Sequence, residues 1–336
     1  MPQEKLGVAV IGLHMGQAHF LAAIEHPSAQ LVALCDTDQD LLQARAAEYN
    51  VPFATTDWRQ LLDRPDIHIA SICTPDHLHC EMTCAFLDAG KHVIVEKPMA
   101  RTIEECEAMI AAARRADRKL MVAQVCRFYS FFQDAKRWSE DGTLGEVYYV
   151  ETSYLHNYEE IGGVGGWRFD PEKRHPLVGG GCHAIDLARW ICGDAEEVHA
   201  YGNHYNIPQQ QWEDLITINV KFKSGAVGRI LNSSGCQRPY NIDLQVWGTK
   251  GTLVGDNTQD YALLSLREVN RHVWLRLPKP PMAKAVVSEL AHFIDCVLHD
   301  RQPLIDGVDG AKTVALAWAA IESMQTGRPV KCRNDF

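Results

Sequence analysis

Lys97 follows five residues, His92 to Glu96, that read as a buried strand, and Pro98 restrains the chain directly after it. Most lysines are solvated surface residues. One at the carboxyl end of a parallel strand stands instead where open α/β sheets hold their ligands. Its amine is placed to exchange a proton with a hydroxyl group. A second pair, His183 and Asp186, lies three residues apart at the start of a helical stretch, so both can project from one face. A histidine trades a proton near neutral pH, and a carboxylate accepts hydrogen bonds from vicinal hydroxyls. The bland reading of His183 is an imidazole bonded within a helix terminus.

Gly12-Leu13-His14-Met15-Gly16 comes directly after a first strand and opens a helix. Backbone amides at a helix start favour a pyrophosphate, and glycines let it come close. The usual G-x-G-x-x-G spacing is not met, since the two glycines are four apart and His14 stands between them. Asp36 ends the second strand at the distance where an acidic residue accepts from an adenosine ribose diol, with Thr37 beside it. A carboxylate there repels a ribose phosphate, so NAD is expected in preference to NADP. Gly12, His14, Met15, Gly16, Asp36 and Thr37 are therefore candidate cofactor residues. His77, His79, Cys80 and Glu81 form a ligand-rich run, but neighbours on a helix diverge, and no metal is expected.

The elements that must position these groups follow from apolar patterning. Leu6–Ile11, Leu31–Cys35, Ile69–Cys73, His92–Val95 and Leu120–Ala123 are short and nearly all apolar, as strands buried on both faces must be. They alternate with amphipathic helical stretches, which predicts a doubly wound parallel sheet over residues 1–125. Thr102 caps the helix that follows Arg101, with Glu105 reaching back to Thr102. After residue 125 the period changes to two: Ile216, Ile218, Val220 and Phe222 alternate with polar residues, as do Ile242, Leu244 and Val246. An α+β domain with an open, mostly antiparallel sheet is expected over 126–336, its helices at about 283–326 packing back on the first domain. Phe128, Tyr129, Phe131 and Phe132 begin it and are read as interdomain core. The glycine-rich stretch from Glu159 to Gly181 carries Trp167, Arg168 and His175 and is read as either a functional loop or a flexible surface connection.

Several blocks in order resemble the glucose-fructose oxidoreductase / inositol dehydrogenase / MocA family. They are Gly16-Gln17-Ala18-His19, Cys73-Thr74-Pro75-Asp76-His77-Leu78-His79, Ala89-Gly90-Lys91-His92-Val93 leading into Glu96-Lys97-Pro98, Gly181-Cys182-His183-Ala184-Ile185-Asp186, Asp309-Gly310 and Thr326-Gly327-Arg328-Pro329-Val330. The resemblance implies a Rossmann domain for NAD(P) and a second domain whose sheet often forms an oligomer interface, so a homodimer or homotetramer is expected. It implies that Lys97 contacts substrate and nicotinamide, that Thr74, Pro75, His79, Glu96 and Gln124 line the cofactor, and that His183 shares the proton transfer. Asp186 would hold a substrate hydroxyl, with Arg127, His156, Trp167 and Arg168 bordering the cleft. One departure stands out. The family has an aspartate four residues before the histidine, and here that position is Gly179. Either another group, such as Asp186, Tyr154 or His156, takes over its part, or His183 has a different role.

Composition narrows the classes. The chain has 336 residues, 46% hydrophobic and 23% charged, which suits a two-domain globular protein. Its net charge of −10, from 43 acidic and 33 basic residues, argues against nucleic acid as the main partner. No apolar run is long enough for a membrane span, and the polar start leaves no room for a secretory signal, so a cytoplasmic protein is expected. Eleven cysteines without a spaced framework read as free thiols. The expected activity is oxidation of a secondary hydroxyl on a sugar, glycoside or inositol-like polyol. The rivals are a glycoside hydrolase or lyase using NAD for transient oxidation, and a non-catalytic NAD-linked sensor.

Overall fold

The computed structural model describes residues 5–161, 163–270, 274–278 and 285–336. The polar start before residue 5, Gly162 of the glycine-rich stretch and residues 283 and 284 of the expected C-terminal helical region lie outside them. The chain divides into two compact units, one formed by Met1–Val125, Lys284–Ala311 and Phe336, the other by Cys126–Ala283 and Lys312–Asp335.

The first unit opens with β1 (Leu6–Ile11), α1 (Gln17–Glu25), β2 (Ala29–Cys35), α2 (Gln39–Glu48), β3 (Phe53–Thr55) and β4 (Ile69–Ile72). It continues through α3 (His79–Asp88), β5 (His92–Glu96), α4 (Ile103–Ala116) and β6 (Leu120–Ala123). The six strands run parallel in the order β3-β2-β1-β4-β5-β6. Strand order therefore reverses beside β1, and such a switch point opens a crevice at the carboxyl ends of β1 and β4. The central strands are apolar because both faces are covered: Val8, Ala9, Val10, Ile69, Val93, Ile94 and Val95 are fully buried. The expected parallel sheet is present. β3 escaped the apolar-run criterion, being three residues at the edge with Ala54 exposed.

Thr102 caps α4 as expected, its hydroxyl accepting from the Glu105 amide at 3.2 Å. The return bond differs from the expectation. Glu105 accepts from the Arg101 amide at 2.9 Å and pairs with the Arg101 guanidinium, because a five-donor cation one residue earlier outcompetes the Thr102 amide.

The second unit holds α5 (Ser130–Glu140), β7 (Val147–Leu155), α6 (Pro176–Gly179), α7 (Cys182–Cys192), β8 (Ala195–Asn203), β9 (Leu215–Phe222) and β10 (Val227–Ser233). β11 (Asn241–Gly248), β12 (Gly251–Asp256), β13 (Tyr261–Leu266), α8 (Arg267–Asn270) and β14 (Leu275–Pro278) follow. With β15 (Val330–Lys331) they form a nine-stranded sheet ordered β14-β13-β12-β11-β7-β10-β9-β8-β15. Among the described strands of this sheet only the β10–β7 pair is parallel. The period-two reading holds. Ile216, Ile218, Val220 and Phe222 are buried, as are Ile242, Leu244 and Val246. α7 packs on β7, β10 and β11, and Thr152 of β7 donates to the Ala184 carbonyl at 2.9 Å. Phe131 lies where a Cβ on Gly255 would stand, so α5 meets β12 through that ring.

α9 (Ala285–Leu298) packs against α1 in the first unit, burying Leu290, Phe293 and Ile294. α10 (Gly307–Thr326) starts in the first unit and continues into the second. All eleven cysteines are free and seven are buried, as thiols serving as small core residues are. Among the described residues no helix is long and apolar enough to cross a membrane.

Candidate functional site

In the first unit the turn after β1 is shaped for close approach. Gly12 has φ +90°, and a Cβ there would lie 2.5 Å from the Cys73 carbonyl oxygen. A Cβ on Gly16 would strike the Gly12 carbonyl. α1 then begins with no side-chain cap, leaving first-turn amides for an anion. His14 and Met15 are exposed on this turn. Asp36 is tied to it directly: one carboxylate oxygen accepts from the Leu13 amide at 2.6 Å and the other from the Asp38 amide at 2.9 Å. Thr37 beside it is exposed. The carboxylate expected at a ribose diol thus also fixes the turn after β1.

The ends of β4 and β5 are joined through His79. Its ring nitrogens lie 2.8 Å from the Pro98 carbonyl oxygen and 2.9 Å from that of Thr74. The residue is completely buried. This corrects its expected place lining a cofactor: with both nitrogens beside main-chain carbonyls, His79 lies between the loops that follow β4 and β5. Thr74, Pro75, Glu96 and Lys97 remain half-buried there. The Lys97–Pro98 peptide is cis, and the Lys97 amide donates to its neighbour Glu96 at 3.1 Å.

Glu96 is held from behind. Its other carboxylate oxygen is 3.3 Å from Nε2 of His19, whose Nδ1 is 2.9 Å from the Ser71 hydroxyl. Burial works against a charge on His19, yet Cys73 and Glu96 outweigh it and hold the imidazole pKa well above its usual value. His19 and Ser71 were not among the candidates, though His19 stood within a family block. Gln124, just past β6, is buried, and its side-chain oxygen has no hydrogen-bond partner among the described residues. The open glycine turn, uncapped α1, Asp36 and this orphan acceptor fit a dinucleotide.

In the second unit Arg127 and Asp186 have found each other. The guanidinium grips the carboxylate through two bonds of 2.8 and 2.7 Å, with side chains 4% and 1% exposed. Thr313 also donates to Asp186, at 3.4 Å, and is itself held by Arg189 at 2.8 Å. The expectation that Asp186 offers a carboxylate to substrate, and Arg127 a guanidinium, gives way to a buried structural pair. The i, i+3 spacing placed Asp186 correctly on α7 but could not reveal the cation opposite it.

His183, one turn earlier on α7, is buried with its Nδ1 3.5 Å from the Cys126 sulfur and its ring stacked on Tyr154 at 5.6 Å. The Tyr154 hydroxyl is 3.1 Å from Nδ1 of His156 and 3.1 Å from the Tyr158 hydroxyl, to which Arg174 donates at 3.3 Å. Tyr240 packs against His156 at 4.7 Å. Trp167 and Arg168 are half-buried, with the guanidinium 4.8 Å over the indole and donating to the Ile161 carbonyl at 3.3 Å. Arg174 lies against the same indole at 5.3 Å. His175 caps α6 by accepting from the Leu177 amide at 3.1 Å, and burial pushes its pKa down to about 3, so it stays neutral.

Comparison with known proteins agrees with both units. Residues 6–124 match the oxidoreductase family model with NAD-binding Rossmann fold, and residues 132–254 match the GFO/IDH/MocA C-terminal domain. The chain is 29% identical over 291 residues to levoglucosan dehydrogenase of Pseudarthrobacter phenanthrenivorans, spanning 75% of this chain and 73% of that protein. It is 27% identical to myo-inositol 2-dehydrogenase of Thermotoga maritima, over 96% of this chain and 98% of the relative. A glycosyl hydrolase family 109 protein of Porphyromonas gingivalis is 26% identical over 74% of this chain and 59% of its own length. A structure of levoglucosan dehydrogenase in complex with NADH and levoglucosan has a TM-score of 0.90 at 25% identity, covering 98% of this chain and 100% of that one.

Replacing Asp186 with alanine strands the Arg127 guanidinium in the interior. Stability to urea is expected to fall by about 3–5 kcal/mol, the range for breaking one side of a buried pair. A loss under about 1 kcal/mol would show that the pair is not structural.

Proposed function

The chain belongs to the Gfo/Idh/MocA oxidoreductase family, and we propose that this member oxidises a secondary hydroxyl of a sugar, glycoside or inositol-like polyol with NAD. The observation that carries the reading is Lys97 at the carboxyl end of β5, its backbone held by Glu96 and by the His79 clamp beneath Pro98. Gly12, Gly16 and α1 would take the pyrophosphate, Asp36 the adenosine ribose, and Thr74, Pro75 and Gln124 the nicotinamide end. Bound there, the dinucleotide supplies the hydride acceptor.

Lys97 takes the hydroxyl proton as the carbinol carbon is oxidised, with His183 assisting. His19 keeps Glu96 in place behind the lysine. Trp167, Arg168 and His156 orient the substrate; Arg127 and Asp186 position α7, which carries His183. The relatives named for levoglucosan and myo-inositol dehydrogenation support a cyclic polyhydroxy substrate. Asp36 favours NAD over NADP, since a 2′-phosphate would meet its carboxylate.

A second reading is glycoside cleavage by transient oxidation with no net redox change. It draws on the family 109 glycosyl hydrolase relatives and on Gly179, which removes the carboxylate expected there. Product would then form without accumulating NADH.

The assembly proposed is a homodimer or homotetramer through the sheet face opposite α7. Tyr149, Trp247 and Val227 share that face, with Trp247 37% and Val227 51% exposed. Light scattering should give a multiple of the chain mass, and a monomer at micromolar concentration would exclude it.

For Lys97→Ala, NAD affinity should stay near the wild-type value while turnover of a responsive polyol falls about a hundred- to ten-thousand-fold, the usual contribution of a positioned acid or base. The same titration should find NAD bound more tightly than NADP. Near-normal turnover in the variant would refute the role of Lys97, and tighter NADP binding that of Asp36.

A further inference from the structure

Three successive glycines, Gly179 ending α6 and Gly180 and Gly181 leading into α7, stand where the family pattern would supply a carboxylate at the first of them. The neighbouring space is not vacant. A Cβ on Gly180 would lie 2.5 Å from the Tyr158 hydroxyl oxygen and 2.9 Å from the Tyr154 ring. Gly180 has φ −113° and ψ −55°, which any residue can adopt, so the glycine serves close approach rather than an unusual backbone. Two tyrosines occupy the room that a side chain at Gly180 would need.

Their hydroxyls admit one fully bonded arrangement. Arg174 can only donate, so the Tyr158 oxygen accepts from it. Among the described residues the one remaining polar partner of the Tyr158 hydroxyl is Tyr154, and the partners of the Tyr154 hydroxyl are Tyr158 and Nδ1 of His156. If Tyr158 donates to Tyr154, then Tyr154 donates to His156 and every proton has an acceptor. If Tyr154 donates to Tyr158 instead, the Tyr158 proton has none. Both rings are buried, with 5% and 2% exposure, so an unmet hydroxyl there would bear its full desolvation penalty. Burial, reinforced by Tyr158 and Tyr240, also raises the Tyr154 pKa well above its usual value, so the proton stays on the phenol.

We propose that Arg174, Tyr158 and Tyr154 form a one-way hydrogen-bond chain ending on Nδ1 of His156, which fixes the Nε2–H tautomer and makes His156 a donor to a substrate oxygen. The three are positioning residues. They orient His156 through two neutral hydroxyls and one fixed cation. His156 is half-buried and flanked by Tyr240, Tyr158 and Tyr154, so its ring plane is held as well as its protonation. An acceptor oxygen on a polyol, whether a hydroxyl or a ring ether, would meet this donor. The substrate part rests on the dehydrogenase reading above; the tautomer does not.

Long-range proton–nitrogen correlation spectra of the nitrogen-15-labelled full chain test the tautomer without substrate, with His156 assigned by loss of its signals in His156→Gln. The wild type should show an unprotonated, hydrogen-bonded Nδ1 and a protonated Nε2. Tyr154→Phe and Tyr158→Phe keep the ring volumes and should give mixed tautomers. A wild-type spectrum with the proton on Nδ1 overturns the chain, and so does a Tyr158→Phe spectrum matching wild type. The wild-type result stands even if a variant fails to fold. For a polyol that is turned over, Tyr154→Phe should lower kcat/KM about tenfold, the equivalent of one net hydrogen bond, with NAD affinity unchanged. Absence of turnover in the wild type, with the tautomer as stated, would defeat the dehydrogenase reading and leave the chain intact.

Discussion

One buried imidazole ties together the part of the first unit that matters most. His79 bridges the carbonyls of Thr74 and Pro98, which follow β4 and β5 respectively. Without a shared anchor these strand ends would be independent loops, and Lys97 would sit on a peptide free to turn away. The constraint is local and polar, placed at the carboxyl edge of a sheet whose interior is almost wholly apolar. The chain from Ser71 through His19 to Glu96 adds a second tether from the opposite side. A neutral His79 ring donates to one of its two carbonyls at a time, and both anchors use hydrogen bonds that the low dielectric of the interior strengthens.

The second unit solves the equivalent problem with charge. α7 must carry His183 at a fixed height over the sheet, and the two-pronged Arg127–Asp186 bond holds it from one side while Thr152 bonds its first turn. His183 then stacks on Tyr154, whose hydroxyl belongs to the chain running from Arg174 to His156. Tyr154 thus serves two histidines at once, one through its face and one through its oxygen. The three-glycine turn permits this, since any side chain on Gly180 would displace the tyrosines.

Much of this was legible beforehand, for identifiable reasons. A buried parallel strand must be apolar along its length, so β1, β5 and β6 could be read directly, whereas β3 is too short and too exposed to leave a pattern. Alternation identified β9 and β11 because one face is buried and the other is not. Lys97 could be placed just past β5 because a strand end is a position along the sequence. Asp186 was placed on the right element but given the wrong partner, since its cation is 59 residues away and no periodicity links them. His79 was recognised as part of the site while its direction, inward onto two carbonyls, was not. Tyr158 and Arg174 lie in an irregular stretch where side-chain directions follow from tertiary packing alone.

We propose net oxidation of a carbinol carbon with its hydrogen delivered to NAD. Supplying polyols and glycosides deuterated at each ring carbon, and examining recovered cofactor by mass spectrometry and NMR, tests that most directly. Stoichiometric deuterium in accumulated NADH, with a ketone formed at the labelled carbon, is the predicted result. Deuterium returned to a cleaved product, with no labelled NADH remaining, would contradict it.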